Sequence, residues 1–530
     1  MPKRERGTAE EARAPVPVTL LSGFLGAGKT TLLKRILEQS RGDGSYKVGV
    51  LVNDMAEVNI DASLVKGNKL LQREEKLVEL HNGCICCTLR EDLVKEVAGL
   101  AREGRFDAIV IESTGVSEPR EVAETFAVEL NAEAEHSQAP EGWELDALVK
   151  ALGGKASLND VAKLDTCVTV VDCASFHVDL ASSMELQERW KDSANENDER
   201  SVAPLLMSQI EFADVIVLSK VDLVSKKEAA GIESALKALN PGAKVIRASH
   251  GKVPLSNVLC TGLFDMQKAS DSPGWLQTMR GEEVVPETEV YGIDSFVYEA
   301  RTPFHPARLA AFLDDHFLVK MSGEEPPEEE QEQEAPAAAS KLATLAESDK
   351  EEAEPAEVCA MADVDDVDLS DPKLREQAAK AKMDRARRAF GNIMRSKGYV
   401  WIAGRDDLVG EWSQAGSIGE LVCGGPWMAT MPEEEWPEEG TEAYAEIMKD
   451  FAGPELKDRR QEIVFIGQNI DKKALTEALD ACQIRKEDLR RRGRSASRGE
   501  HAWKLGVDYL PDPLPRWSLG DFVEEVAEEG

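Results

Sequence analysis

Two short runs within the first 90 residues combine residue types and spacings that do chemistry. Gly23-Phe24-Leu25-Gly26-Ala27-Gly28-Lys29-Thr30 satisfies G-x-x-x-x-G-K-[ST] at every position. Glycines let backbone N–H groups crowd around a phosphate chain, and the start of a helix behind them adds partial positive charge. Lys29 is then expected to reach the β- and γ-phosphates, and the Thr30 hydroxyl to ligate Mg2+. The second run is Gly83-Cys84-Ile85-Cys86-Cys87. Three thiols this close cannot all form unstrained local disulfides. Soft thiolates at such spacing suit Zn2+ or Cu(I). Three sulfurs leave one tetrahedral position, for which His81, Glu57 or a residue of a partner are candidates. An exchangeable fourth ligand suits metal transfer better than a permanent structural role. Buried packing cysteines and a redox sensor are the competing readings.

Two further signals lie downstream. Ser219-Lys220-Val221-Asp222 follows the apolar run DVIVLS and is close to the Asn-Lys-x-Asp guanine motif, with Ser in the first place. A carboxylate there accepts hydrogen bonds from guanine N1–H and N2–H2, a donor pair that adenine lacks, so GTP is expected over ATP. Glu112 ends the run DAIVIE and precedes Ser-Thr-Gly115. An acid at a strand tip beside a phosphate loop holds Mg2+ directly or through water. Gly115 gives the backbone freedom to respond to the γ-phosphate.

These residues need a frame. Apolar, β-rich runs occur at 16–22, 47–53, 107–112, 166–172, 214–219 and 244–248, separated by helix-like stretches such as 30–39 and 89–102. Near-continuous apolar strands alternating with helices predict an α/β domain, a parallel sheet covered on both faces, over residues 15–262. Residues 1–14 read as a disordered tail, 131–164 as a polar, irregular insertion and 263–290 as a linker. A smaller α+β C-terminal domain, of ferredoxin-like type, is expected over 291–520. Its signals are strands at 293–300, 398–404 and 461–468, helices at 306–317 and 471–482, and a hairpin through 409–422. Within it, 323–371 carries 18 acidic residues against two lysines. That stretch lacks the apolar content to offset ordering entropy and is expected to be a disordered acidic insertion.

Composition narrows the function classes. The chain has 530 residues, 42% of them hydrophobic, and a formal net charge of −36. Charge of that sign repels nucleic acid and anionic membranes, so neither is expected as a partner. No apolar run approaches the roughly 18 residues that span a bilayer, and the N-terminus has no apolar signal region, so the chain reads as cytoplasmic. Nine cysteines, an odd number, argue against a disulfide framework. Most of the cysteines outside the cluster read as structural, and His250, His305 and His316 as surface or internally satisfied residues rather than ligands.

Together the motifs resemble the CobW-type metallochaperone GTPases. The matching stretches are GFLGAGKTTLL (23–33), VNDMAEVNID (52–61), NGCICCTLREDL (82–93), IESTGVSEP (111–119) and SKVDL (219–223). SKGYVWIAG, EWSQAG and RQEIVFIG follow in the order of the family's C-terminal domain. The likeness is greatest to the zinc-chaperone branch linked to low-zinc responses. It implies a P-loop GTPase that hydrolyses GTP with Mg2+ and passes zinc to client metalloproteins. Gly23, Gly26, Gly28, Lys29, Thr30 and Thr31 would hold phosphates and Mg2+, with Lys29 and Glu112 the catalytic residues. Lys220 and Asp222 would read guanine, and Cys84, Cys86 and Cys87 would bind zinc. Asp54 and Glu57 would fall in the switch segment. The stretch here reads Asn-Asp-Met-Ala-Glu rather than the family's common Asn-Glu-Phe-Gly-Glu. An insertase for cobalt or another metal, a non-catalytic zinc buffer and, on the same P-loop fold, a small-molecule kinase are the alternatives.

Overall fold

A computed structural model describes residues 14–43, 46–52, 77–79, 87–128, 145–190, 198, 200–271, 273–279, 291–321, 370–432, 436–488 and 510–517. The chain forms two compact units. The first comprises 1–297 with 391–396 and 464–470, and the second comprises 298–390 with 397–463 and 471–530.

Strand β1 (Val16–Ser22) is built from VPVTLLS, apolar on both faces and buried on both. It lies at the centre of a seven-stranded sheet with β2 (Val48–Val52), β3 (Leu77–Glu79), β4 (Ala108–Glu112), β5 (Ala162–Asp172), β6 (Val215–Ser219) and β7 (Lys244–Arg247). The order is β3-β2-β4-β1-β5-β6-β7, with every neighbouring pair parallel. Because β1 sits between β4 and β5, chain direction across the sheet reverses there. Loops on the two sides diverge at that point and leave a crevice at the C-terminal strand ends, the usual place for a ligand in an open α/β sheet.

Helices α1 (Lys29–Asp43), α2 (Cys87–Arg102), α3 (Pro119–Ala127), α4 (Leu145–Ala151), α5 (Val202–Glu211) and α6 (Lys226–Leu239) accompany this sheet. Val94 and Val97 of α2, Phe126 of α3 and Leu148 of α4 share one core cluster with Leu20, Leu51 and Ile109 of the strands. Each such side chain contributes about 1.5–3 kcal/mol by leaving water. Two sequence expectations change here. The 131–164 segment, read as irregular, contains α4 and the first residues of β5. Leu145, Leu148, Val149 and Leu152 form an apolar stripe at helical spacing within otherwise polar sequence, and Leu148 and Leu152 are fully buried. The 263–290 segment, read as a linker, forms helices at Met266–Asp271 and Gly274–Met279. Ala269 joins the same core, and a Cβ on Gly274 would lie 1.9 Å from the Ala238 carbonyl oxygen, so the segment packs closely on α6. The tail at 1–13 lies outside the described residues.

A second, six-stranded sheet runs β8-β13-β10-β11-β12-β9. Its strands are β8 (Ile293–Ala300), β9 (Leu318–Met321), β10 (Asn392–Val400), β11 (Leu408–Ala415), β12 (Ile418–Pro426) and β13 (Gln461–Gln468). β11 and β12 form the expected hairpin, pairing Ala415 with Ile418 across a two-residue turn whose first residue, Gly416, has φ of 57°. Helices α7 (Pro306–His316), α8 (Pro372–Phe390) and α9 (Lys472–Cys482) belong to this part of the chain. Six strands exceed a four-stranded ferredoxin-like sheet, so α+β holds and the narrower expectation does not. β10 also starts six residues before the predicted strand, at Asn392. Most of the acidic insertion, residues 323–369, lies outside the described residues. Among the described residues, no helix is long and apolar enough to cross a membrane.

Candidate nucleotide site

The phosphate-loop motif leaves β1 and enters α1 directly. Gly23 has φ of 125°, and a Cβ on it would sit 2.3 Å from the Val170 carbonyl oxygen on β5. Only glycine meets both conditions. Lys29 opens α1 and is 4% exposed, with its ammonium donating to the carbonyls of Gly23 at 2.7 Å and Phe24 at 3.1 Å. A lysine so buried is held by the inner wall of its own loop. Gly26 is exposed with nothing near its Cβ position, so the outer rim is open. Thr31 is exposed on the first turn of the helix.

β4 delivers its acid to the same place. Parallel pairing sets Glu112 opposite Leu21. The Thr30 hydroxyl donates to Glu112 Oε1 at 2.8 Å. A hydroxyl and a carboxylate oxygen side by side form a hard oxygen donor set of the kind Mg2+ takes. Past Glu112 the chain turns onto the phosphate loop. A Cβ on Gly115 would lie 2.4 Å from the Leu25 backbone nitrogen, so only a glycine allows the two loops to touch.

β6 supplies the third part. Ser219, in the place of the usual Asn, donates from Oγ to the Ala27 carbonyl at 2.6 Å. The unusual residue therefore still ties this strand end to the phosphate loop. Lys220 adopts a left-handed conformation with φ of 53°, and its ammonium pairs with Asp172 Oδ2 at 2.6 Å. Asp222 accepts from the Ser249 hydroxyl at 2.6 Å, and that bond holds its carboxyl below the usual carboxylate range. The Asp222 side chain remains 39% exposed, open to a base.

Three residues of this arrangement were not singled out from sequence. Asp172 ends an apolar strand just as Glu112 does, so the signal was present. Ser249 and Gly251 follow β7 in a Ser-His-Gly turn, and a Cβ on Gly251 would come within 3.1 Å of the Thr31 carbonyl oxygen at the start of α1. His250 between them is exposed, with Nε2 3.9 Å from Asp222 Oδ2.

The thiolate cluster is only partly within the described residues. Cys84 and Cys86 lie outside them, as do Asp54, Glu57 and His81. Cys87 is the first residue of α2, and its side chain lies outside the described set. Burial pushes the thiol of Cys173 up to about 11 and that of Cys482 up to about 12. Cys167, fully enclosed, is raised as well. These thiols stay protonated at neutral pH, as structural cysteines should. Among the described residues, no group of three His, Cys, Asp or Glu side chains could hold a metal ion.

Comparison with known families agrees with this geometry. Residues 17–149 and 145–247 match the CobW/HypB/UreG nucleotide-binding domain, and residues 369–483 match the cobalamin synthesis protein cobW C-terminal domain. A zinc-regulated GTPase metalloprotein activator 1 of Dictyostelium discoideum is 36% identical over 502 residues, which is 93% of this chain and 83% of that protein. The protein of the same name from Schizosaccharomyces pombe is 32% identical over 260 residues, covering 48% of this chain and 52% of that one. Zinc chaperone CobW of Pseudomonas aeruginosa is 29% identical over 265 residues, covering 48% and 63%. With the family's two domains in sequence and likeness running along almost its whole length, this chain belongs to the CobW family of GTPases.

Proposed function

We propose that the protein is a GTP-hydrolysing metallochaperone that holds Zn2+ through Cys84, Cys86 and Cys87 and passes it to client metalloproteins. The observation that carries the nucleotide half is the 2.8 Å bond from Thr30 to Glu112 at the mouth of the phosphate loop. These two residues would hold Mg2+, which supplies charge neutralisation on the β- and γ-phosphate oxygens. The N–H groups of the Gly23–Gly28 loop and of Thr31 surround the phosphates. Lys29 adds a buried positive charge where negative charge builds during transfer. Asp222 accepts from guanine N1–H and N2–H2, and the Lys220 stem packs against the base while Asp172 holds its ammonium.

Zinc as cargo is supported by the likeness over 93% of the chain to a protein named as a zinc-regulated GTPase metalloprotein activator. The C-x-C-C run supplies donors of matching softness, with Glu57 a candidate for the fourth. β3 ends at Glu79 and α2 starts at Cys87, on the sheet edge that also carries the phosphate loop. Three strand spacings, about 14 Å, separate β3 from β1. GTP would favour the metal-holding form and hydrolysis would release metal. By linkage, zinc must then alter GTP affinity by the factor that GTP alters zinc affinity.

The test is an anaerobic zinc titration against a competing chelator, without nucleotide, with Mg-GDP and with a Mg-bound non-hydrolysable GTP analogue. One tight zinc per chain whose affinity shifts between the nucleotide arms is expected. Cys86→Ser should abolish the tight zinc and leave GDP binding intact, and Lys29→Ala should do the reverse. Tight zinc that ignores nucleotide would reduce the protein to a buffer. A preference for cobalt in the same titration would redirect the cargo.

A further inference from the structure

Gln209 lies in α5, in the apolar sequence VAPLLMSQIE, and is 0% exposed. A buried amide is costly unless its groups are paired, so a residue that merely filled space there would be Leu or Met. Its side-chain NH2 group donates to two carbonyls of the loop after Glu112, Gly115 at 3.4 Å and Ser117 at 3.1 Å. The carbonyl between them, that of Val116, accepts from Arg200 at 2.8 Å. Gly115 is the residue that touches the phosphate loop at Leu25.

The other side of Gln209 reaches the root of the phosphate loop. Its backbone carbonyl accepts from the Thr169 hydroxyl at 2.7 Å, and Thr169 Oγ1 is 2.9 Å from Ser22 Oγ. A hydroxyl has one proton. With Thr169 donating to Gln209, Ser22 is the donor to Thr169 at 2.9 Å, its other acceptor, the Val168 carbonyl, lying farther off at 3.5 Å. Ser22 is the residue before Gly23. One buried chain of bonds therefore joins the base of the phosphate loop to the loop that follows the Mg2+-side acid. The Gln209 carbonyl Oε1 and the Thr114 hydroxyl are both buried and have no hydrogen-bond partner among the described residues. An acceptor and a donor, both idle, therefore flank the latched carbonyls.

We propose that Gln209 is a positioning residue for GTP hydrolysis. Its amide latches the 113–117 backbone onto the phosphate loop, and its idle acceptor provides a second bonding arrangement for that loop. The inference rests on the GTPase reading. Gln209 touches no reacting atom. It sets where the backbone beside the γ-phosphate sits, so it should act on turnover more than on nucleotide retention.

The experiment uses the full chain and two variants. Gln209→Met keeps the volume and removes the donors. Its kcat for GTP should fall about tenfold or more while KM changes by less than about threefold, with GDP affinity close to wild type in a chain that remains folded though less stable, because two carbonyls lose their donor. Gln209→Glu places a carboxylate against two carbonyls. When protonated it donates again, so its deficit at about pH 8 should shrink towards about pH 6, against a wild-type profile measured in parallel. The proposal is overturned if Gln209→Met keeps kcat within about twofold of wild type, or if GTP and GDP affinities fall together in a folded protein. If the wild-type chain proves inactive, the GTPase reading has failed separately. The latch is then judged by the affinity ratio of a non-hydrolysable GTP analogue to GDP, which Gln209→Met must change and which, unchanged, overturns it.

Discussion

On the proposed reading, base choice turns on Asp222. Its acceptor-only carboxylate matches two guanine donors, so Asp222→Asn should weaken GTP binding by about 100-fold or more while improving binding of xanthosine triphosphate, whose C2 carbonyl accepts from the new amide. Competition binding with both nucleotides checks this, and equal losses for both would remove Asp222 from the base site. The Ser249 bond that holds its carboxyl low also predicts pH behaviour. A depressed carboxyl stays ionised as acid is added, so GTP affinity should stay level from about pH 8 to about pH 5. In Ser249→Ala the decline should begin at higher pH. Asp214, just before β6, is the opposite case. Burial raises its carboxyl from 3.8 to about 6, although it accepts the Cys167 N–H at 2.7 Å. A raised value means that the stabilising share is complete below about 3.8 and is lost as pH rises through about 6. Asp214→Asn keeps the acceptor and removes the charge. It should therefore stabilise the protein by about 1–3 kcal/mol at pH 8 and by almost nothing at about pH 3 in denaturant titrations.

At the scale of elements, α5 does more than cover the sheet. It ends on Glu211, whose carboxylate takes two bonds from Arg395 of β10, at 2.8 and 3.2 Å, with both side chains about nine-tenths buried. Residues 391–396 belong to the same compact unit as α5. Removing one member of a buried pair strands the other charge, so Arg395→Met should cost about 3–5 kcal/mol. Adding Glu211→Leu should recover most of that, and a double variant no better than the single would show that neighbours of Arg395 dominate instead. The elements themselves were legible to different degrees. β1, α1, β4, β6 and the β11–β12 hairpin stand close to where apolar runs and turn residues put them, because strand ends and tight turns are written in adjacent residues. α4 went unread since one apolar stripe four residues deep was masked by polar company. β10 began earlier than GYVWIAG suggested because NIMRSK buries Ile393, Met394, Arg395 and Ser396, two of them polar. Strand burial of that kind comes from neighbours, not from hydropathy.

For the whole molecule, charge is the dominant long-range term. A net −36 over 530 residues repels itself in any compact form. Raising salt from about 10 mM to about 150 mM shortens the screening length from about 30 Å to about 8 Å and should raise the melting temperature. A fall instead would mean that surface ion pairs such as Arg35–Glu38 outweigh the repulsion.

The sequence by itself determined the phosphate loop, the acid at the tip of β4, the guanine-type motif and the three clustered cysteines. Each is a contiguous run whose chemistry follows from covalent spacing, and together they were enough for the family and for the α/β class. Only the tertiary structure decided which distant residues serve those motifs. Ser219 reaches Ala27 across 192 positions, Gln209 reaches Gly115 across 94, Arg395 reaches Glu211 across 184 and Lys220 reaches Asp172 across 48. Spacing along the chain says nothing about such pairs. They exist because parallel strands bring their C-terminal ends to one edge and because buried polar groups must find partners wherever the fold puts them.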